Sequence, residues 1–274
     1  MRIFRDPGKL QKFCRKARCD SKVVALVPTM GFLHEGHLSL IEAARKKGAD
    51  EIVVSIFVNP VQFGPNEDFQ RYPRDEKADL AKCRRAGATA VFLPAAESMY
   101  LEGSSVFVEE TSLSLGLCGA SRPGHFRGVC TVVAKLFNLA HPNFAVFGEK
   151  DFQQLQVIRR MVRDLNFDLE IVAAPIVREK DGLAKSSRNV YLGKEERDAA
   201  LAISRSLAEC PGTGEWKKLR REIVRRLEKA ELKVDYVECV DFSTLRKVDR
   251  VESGSVVLVA ARSGKTRLID NRIF

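Results

Sequence analysis

The chain has 274 residues, 45% of them apolar and 30% charged, with a net charge of +10. That is the composition of a globular protein with one large domain or two modest ones, each able to bury its own core. No apolar run approaches the ~18 residues of a membrane-spanning helix. The start, MRIFRDPGKLQKFCRKARCD, lacks the unbroken apolar stretch of a secretory signal, so the expected compartment is the cytoplasm, with no membrane partner. Seven scattered cysteines, Cys14, Cys19, Cys83, Cys118, Cys130, Cys210 and Cys239, form no CxxC pair and read as reduced thiols.

In chain order, VVALVP (residues 23–28) is a buried-strand run, followed by a loop and a helical stretch, HLSLIEAARKKG. EIVVSIFV (51–58) is a second β-rich run. A charged helix follows from about Arg74 to Ala86, with Gly87 as its stop signal, and then ATAVFLP (88–94). SVFVEE is expected to form another strand. GVCTVVAKLFNLAHP sets Val129, Val132, Val133, Leu136, Phe137 and Ala140 on one helical face and ends at Pro142. FAVF, a helix around DFQQLQVIRRMVRDL, and LEIVAAP complete this part. Apolar strands separated by helices predict a parallel sheet covered on both faces, the doubly wound α/β architecture.

The pattern changes near Pro175. A polar loop, DGLAKSSRN, precedes two helices, around KEERDAALAISRSLAE and EWKKLRREIVRRLEKA, and then three strands, KVDYVECV, SVVLVAAR and TRLIDN. This predicts a Rossmann-like domain over residues 1–176 and a smaller α+β lid domain over 177–274. Much of the positive charge lies in EWKKLRREIVRRLEKAELK, where Trp216, Leu219, Ile223 and Leu227 recur at helical spacing. The basic residues then form either a solvated face or, less economically, an RNA surface. No aromatic–glycine pattern of an RNA-binding sheet accompanies them, so nucleic acid is not the expected partner.

Four polar segments stand out, three of them directly after strands, where ligands of such sheets bind, and the fourth, KSSRN, in a loop rich in small residues. In VPTMGFLHEGHLSLI, His34 and His37 stand at the start of a helix whose free N–H groups suit a polyphosphate. Composition alone leaves the pair open between a functional and a structural role. In GEKDFQQL, Lys150 can neutralise phosphate and Gln154 can exchange hydrogen bonds; the other reading of Glu149, Lys150 and Asp151 is a solvated helix start. In KSSRN, hydroxyls flanked by Lys185 and Arg188 make either a phosphate clamp or a surface turn. In SIFVNPVQF, the strand runs into Asn59, Pro60 and Gln62, placing amides at the same sheet edge.

Taken together, TMGFLHEGH, SIFVNPVQF, YPR, RPGHFRGV, FGEKDFQQL, DGLAKSSRN and the C-terminal LVAAR and TRLIDN resemble, in order and spacing, the pantothenate synthetase (pantoate–β-alanine ligase) family over nearly the whole chain. The resemblance implies a class I synthetase-like, nucleotidylyltransferase-like fold and a homodimer requiring Mg²⁺. It also implies two steps: pantoate and ATP give pantoyl adenylate and pyrophosphate, then β-alanine displaces AMP. By the same resemblance Met30, Gly31, Phe32, Leu33, His34, Glu35, Gly36 and His37 line the ATP site. His37 is the proton donor, with His34 assisting at the phosphates. Gly148, Glu149, Lys150 and Asp151 meet the nucleotide, and Lys150 its phosphates. Val177 lies near the adenine, and Lys185, Ser186, Ser187 and Arg188 hold the triphosphate from a second domain that closes over the first. Gln62 and Gln154 hold pantoate, and Gln62 also β-alanine. Lys185 stands where the family usually has Met or Leu, which adds a cation. Ala78 stands where many relatives are acidic beside Asp79, and no metal ligand is assigned.

Overall fold

The computed structural model describes residues 1–65 and 67–274. The chain divides into two compact units. The first comprises Met1–Ser112, Arg122–Glu149 and Gln154–Pro175; the second comprises Leu113–Ser121, Lys150–Gln153 and Ile176–Phe274. Two short segments from the earlier part of the chain thus belong with the C-terminal unit, which a single boundary between 176 and 177 does not capture.

The first unit opens with β1 (Arg2–Phe4) and α1 (Pro7–Cys19), then β2 (Val24–Thr29), α2 (Glu35–Lys46) and β3 (Glu51–Ile56). After these come α3 (Glu76–Ala86), β4 (Ala90–Phe92) and the short α4 (Ala96–Met99). In the second unit lies α5 (Leu117–Ser121). The first unit resumes with α6 (His125–Ala140) and β5 (Phe144–Gly148); α7 (Phe152–Asp164) begins in the second unit and runs into the first, which ends with β6 (Glu170–Ala174). The six strands form one parallel sheet in the order β1-β4-β3-β2-β5-β6. From β2 the chain works outward through β3 and β4 on one side, then returns to place β5 and β6 on the other. The direction therefore reverses between β2 and β5, and ligands of such sheets bind beyond the carboxyl ends of the strands at this switch point. Val24–Val27 and Ile52–Val54 are buried on both faces, as a covered parallel sheet requires.

Local signals account for the helix ends. Asp6 accepts from the Lys9 N–H with Pro7 in the first turn of α1, and Asp75 accepts from the Ala78 N–H at the start of α3. Gly87 closes α3 in the left-handed conformation, φ +89°. The expected strand SVFVEE is not one: residues 105–110 run without a ladder partner among the described residues, and Val108 bonds to the Thr131 hydroxyl instead. A β-rich run of residues can be extended by itself, but a strand needs a neighbour. In the other direction, β1 and α1 are not among the elements the apolar pattern predicts, although Asp6 and Pro7 carry the helix signal.

The second unit continues with α8 (Lys194–Ala208), β7 (Gly214–Glu215), α9 (Trp216–Lys229) and β8 (Lys233–Asp241). It ends with β9 (Arg250–Val251), β10 (Ser255–Ser263) and β11 (Thr266–Ile273). β10 is the centre of an antiparallel sheet, β11-β10-β8, and β7 pairs with β9. Its core includes Ile203 and Leu207 from α8, Ile223 and Leu227 from α9, and Val237, Val257 and Val259 from the sheet. The apolar stripe of α9 is thus covered as its periodicity requires. Several of its cations are engaged within the unit: Arg226 pairs with Glu209 and Glu222, and Arg220 donates to the Val237 carbonyl. All seven cysteines are free thiols. Among the described residues, no helix is long and apolar enough to cross a membrane.

Candidate active site

The loop from β2 into α2 is held in an unusual shape by a buried carboxylate. Gly31 takes φ +87° and Phe32 φ +50°, both left-handed. A Cβ on Gly31 would stand 2.9 Å from Ile56 Cγ2 and 3.1 Å from Asp79 Oδ2. Asp79, in the first turn of α3 and 1% exposed, accepts from the Phe32 N–H at 2.8 Å and the Leu33 N–H at 2.7 Å. Burial raises its carboxyl above the usual aspartate range, and the two amide bonds and Lys82 pull the other way. Lys82 Nζ donates to the Leu33 carbonyl at 2.6 Å. Leu33 itself is buried in the core, so its part in any ligand contact is limited to its backbone.

His34 is the N-cap of α2, with Nδ1 accepting from the Gly36 N–H at 3.2 Å. His37 returns the bond: its Nδ1 accepts from the His34 N–H at 3.2 Å. The rings lie 4.0 Å apart at 36°. This is a capping box made from two imidazoles, in the places where Ser or Thr and Glu or Gln usually serve. An imidazole that accepts at Nδ1 carries its proton on Nε2. The cap therefore assigns both rings the same tautomer, with Nε2–H as the donor. The structural and functional readings of the pair are not rivals, because one nitrogen of each ring caps the helix and the other is a donor.

At the end of β3, Asn59 (1% exposed) is the hub of a polar cluster. Its Nδ2 donates to Gln62 Oε1 and to the Gly128 carbonyl, each at 3.1 Å, and its Oδ1 accepts from the Tyr100 hydroxyl at 2.8 Å. Gln62 Nε2 faces the Met30 sulfur at 3.3 Å, which brings together two residues singled out from different segments. His125 Nδ1 lies 2.9 Å from the Gln62 carbonyl and its Nε2 lies 3.1 Å from Arg122. Arg122 in turn makes a two-point ion pair with Glu67 at 2.7 and 2.6 Å. Burial opposes the Glu67 carboxylate, but Arg122 outweighs it and holds the carboxyl below the usual range. Gly148 ends β5, beside β2, and Glu149 starts the next turn. Gln154 is half-buried on α7.

In the second unit, Lys150 follows directly, its carbonyl accepting from Asn271 Nδ2 at 3.1 Å and its Nζ 3.8 Å from the exposed Asp151. Gln153 of the same motif is structural: its amide donates to the Leu113 and Gly116 carbonyls and accepts from the Cys118 N–H. Residues 177–185 fold back on themselves, with the Lys185 N–H donating to the Val177 carbonyl at 2.9 Å and the Glu179 N–H to the Leu183 carbonyl at 2.8 Å. Val177 is thereby set beside Lys185, and the Ser186 hydroxyl accepts from the Arg188 N–H at 3.3 Å; Ser187 is buried. Glu179 anchors the loop, accepting from Asn189 and Arg197 at 2.7 Å each. Burial works against this carboxylate too, but Asn189 and Arg197 keep its carboxyl below the usual range. Arg178 forks onto the buried Asp270 at 2.7 and 3.0 Å.

The supporting residues Asp79, Tyr100, Gly128, Glu67, His125, Glu179 and Asp270 carry no role that the sequence alone assigns. His125 lies in the RPGHFRGV motif, which marks its segment without stating what the side chain does. A family model described as Pantoate-beta-alanine ligase matches residues 2–273. Pantothenate synthetase of Thermotoga neapolitana is 52% identical over 100% of this chain and 99% of its own length. That of Geobacter sulfurreducens is 52% identical over 99% and 98%. The crystal structure of pantothenate synthetase from Thermus thermophilus matches with a TM-score of 0.89 at 44% identity, covering 99% of each chain. The crystal structure of pantoate-beta-alanine ligase from Francisella tularensis, complexed with beta-gamma ATP and beta-alanine, matches with a TM-score of 0.84 at 32% identity, covering 100% of this chain and 97% of that one. With sequence and fold matched from end to end, this chain belongs to the pantoate–β-alanine ligase family.

Proposed function

We propose that this chain joins pantoate to β-alanine with ATP, through a pantoyl adenylate, releasing pyrophosphate and then AMP. The observation that carries the reading is the pair of imidazoles capping α2 at the switch point of the sheet, both bound through Nδ1 and both donors at Nε2. In the first step a carboxylate oxygen attacks the α-phosphorus and the bond to pyrophosphate breaks. Negative charge grows on the departing oxygens, where His37 is the principal hydrogen-bond donor through its Nε2–H and His34 assists through its own. The positive end of the α2 dipole favours the same anion. In the second step the amine attacks the acyl carbon and AMP leaves, with no covalent bond to the enzyme at any stage.

The remaining roles are assigned on the same reading. Met30 through His37 line the nucleotide site, Leu33 by backbone alone, with Gly148 and Glu149 beside them. Lys150, Lys185, Ser186, Ser187 and Arg188 neutralise and bind phosphate oxygens, Asp151 lies beside the nucleotide, and Val177 is apolar surface for the base. Gln62 and Gln154 bind pantoate, and Gln62 also meets β-alanine. ATP is taken up with Mg²⁺, which supplies charge neutralisation at the phosphates. Among the described residues no three His, Cys, Asp or Glu side chains group to hold an ion, and both Asp79 oxygens accept backbone N–H groups. This suits an ion carried in on the triphosphate, the usual habit of Mg²⁺. The seven free thiols suit the cytoplasm, and fractionation of cells making the protein would check that placement.

The test is AMP release from ATP with pantoate and β-alanine, each omitted in turn and with EDTA added. AMP is expected only with all three substrates and a divalent cation, alongside pantoate-dependent exchange of pyrophosphate into ATP. No AMP from folded protein in the full mixture would overturn the reading.

The protein works as a homodimer on this reading, supported by the exposed apolar side chains of Leu101 and Val106, the latter 85% exposed. Exposed apolar side chains of this size suit contact with a second copy of the chain. Light scattering on the eluting protein should give twice the mass of 30.7 kDa; a monomer at micromolar concentration would rule it out.

A further inference from the structure

An amide side chain does not declare which end is which by its shape; only its partners decide. For Gln62 that decision is made one residue back in a polar chain. Asn59 sits between two backbone groups of fixed polarity. The Gly128 carbonyl can only accept, so the NH₂ of Asn59 faces it at 3.1 Å. The Val61 N–H can only donate, so Oδ1 faces it, at a long 3.4 Å. The Tyr100 hydroxyl makes the short bond to that oxygen, at 2.8 Å, and comes from 41 residues away in sequence. With Asn59 oriented, its second N–H goes to Gln62 Oε1, and the Gln62 NH₂ faces the Met30 thioether, a weak acceptor that a substrate oxygen can better. The glycine at 128 is part of the same device, because a Cβ there would stand 2.6 Å from the Gln62 Cα and the Val61 carbonyl oxygen. Burial pushes the Tyr100 phenol up to about 12, so it stays an O–H donor at any working pH.

We propose that Tyr100 is a positioning residue for the acid substrate: its hydroxyl holds Asn59, and through Asn59 it commits Gln62 to present an NH₂ donor. The relay runs Tyr100 O–H to Asn59 oxygen, Asn59 N–H to Gln62 oxygen, Gln62 N–H to an acceptor oxygen of the acid. Each bond polarises the next. It is a relay of orientation, and no proton is transferred along it. This inference rests on the reading that Gln62 binds pantoate.

The experiment is a cycle of Tyr100→Phe, Gln62→Ala and the double variant, with KM for pantoate and for ATP, kcat and the melting temperature of each. Tyr100→Phe keeps the ring against Phe57 and under Lys135 and removes one oxygen. It should raise the pantoate KM about five-fold, the net worth of one hydrogen bond, with the ATP KM unchanged. In the Gln62→Ala background the same change should add almost nothing, since the group it positions is gone. An unchanged pantoate KM in Tyr100→Phe, or a full additional five-fold loss in the double variant, overturns the relay. An unchanged pantoate KM in Gln62→Ala overturns the assignment of Gln62 and the relay with it, which tells the two failures apart.

Discussion

His37→Gln is expected to slow adenylation by about 10²–10³-fold, the loss typical of one transition-state donor, while the melting temperature moves little. Glutamine is the informative substitute. At the third position of α2 its side-chain oxygen can still accept from the His34 N–H, so the reciprocal cap is kept. What disappears is the imidazole Nε2–H and the proton it carries. His37→Ala, by contrast, removes donor and cap together, adding about 1 kcal/mol of helix destabilisation to the catalytic loss. Pantoate-dependent pyrophosphate exchange reads the adenylation step without the amine. A His37→Gln variant that exchanges at nearly the normal rate would leave the pair with a capping role alone.

Asp79→Asn should damage both stability and rate, although Asp79 is placed to touch no substrate. The Phe32 and Leu33 N–H groups each need an acceptor, and the carboxylate supplies two oxygens for them. An amide supplies one oxygen and turns its NH₂ toward the other N–H. Leaving a buried donor unmet costs about 1–3 kcal/mol. The loop between Gly31 and His34 is then free to relax from its left-handed turns, which shifts the histidines. A displacement of about 1 Å can cost up to ~10² in rate. Thermal unfolding and pyrophosphate exchange on the same preparation check both effects. Unchanged values in both assays would show that the loop holds its shape without the carboxylate. Ala78, next to Asp79, has a simpler part: its side chain is a methyl and its N–H completes the Asp75 cap at the start of α3.

How far the sequence reaches is best seen in these same elements. Runs such as Val23–Pro28 and Glu51–Val58 are apolar almost throughout, and only a doubly covered sheet buries both faces of a strand, so the parallel core is legible. The stripe of Trp216, Ile223 and Leu227 likewise predicts its own burial. Segments following apolar strands have to emerge at the sheet's carboxyl edge, which is why the spacing alone picks out the loops of His34, Gln62 and Glu149. These signals are local, carried by residues within a few positions of each other. Ladder formation is not local. SVFVEE has the β-branched and aromatic residues of a strand, yet pairing depends on a partner distant in sequence, and no described strand pairs with it. The inclusion of Leu113–Ser121 and Lys150–Gln153 in the second unit is a matter of packing, beyond the reach of periodicity.

The division within the site follows the same logic. A histidine pair at a helix start is conspicuous in the sequence, but composition alone leaves it open between chemistry and structure. Which nitrogen of each ring donates was decided by two backbone N–H bonds that exist only once α2 and its entry loop have formed. Tyr100, Gly128 and Asp79 are ordinary residues in ordinary surroundings until folding brings a hydroxyl 41 positions to Asn59 and a carboxylate 46 to 47 positions to the loop. A hydrogen bond is a matter of ångströms, so separations of this kind leave no trace in spacing. The sequence determined the alternation of strands and helices in the parallel core and singled out the segments proposed to carry the chemistry; the tertiary structure decided which segments pair and the orientation in which each polar atom is presented.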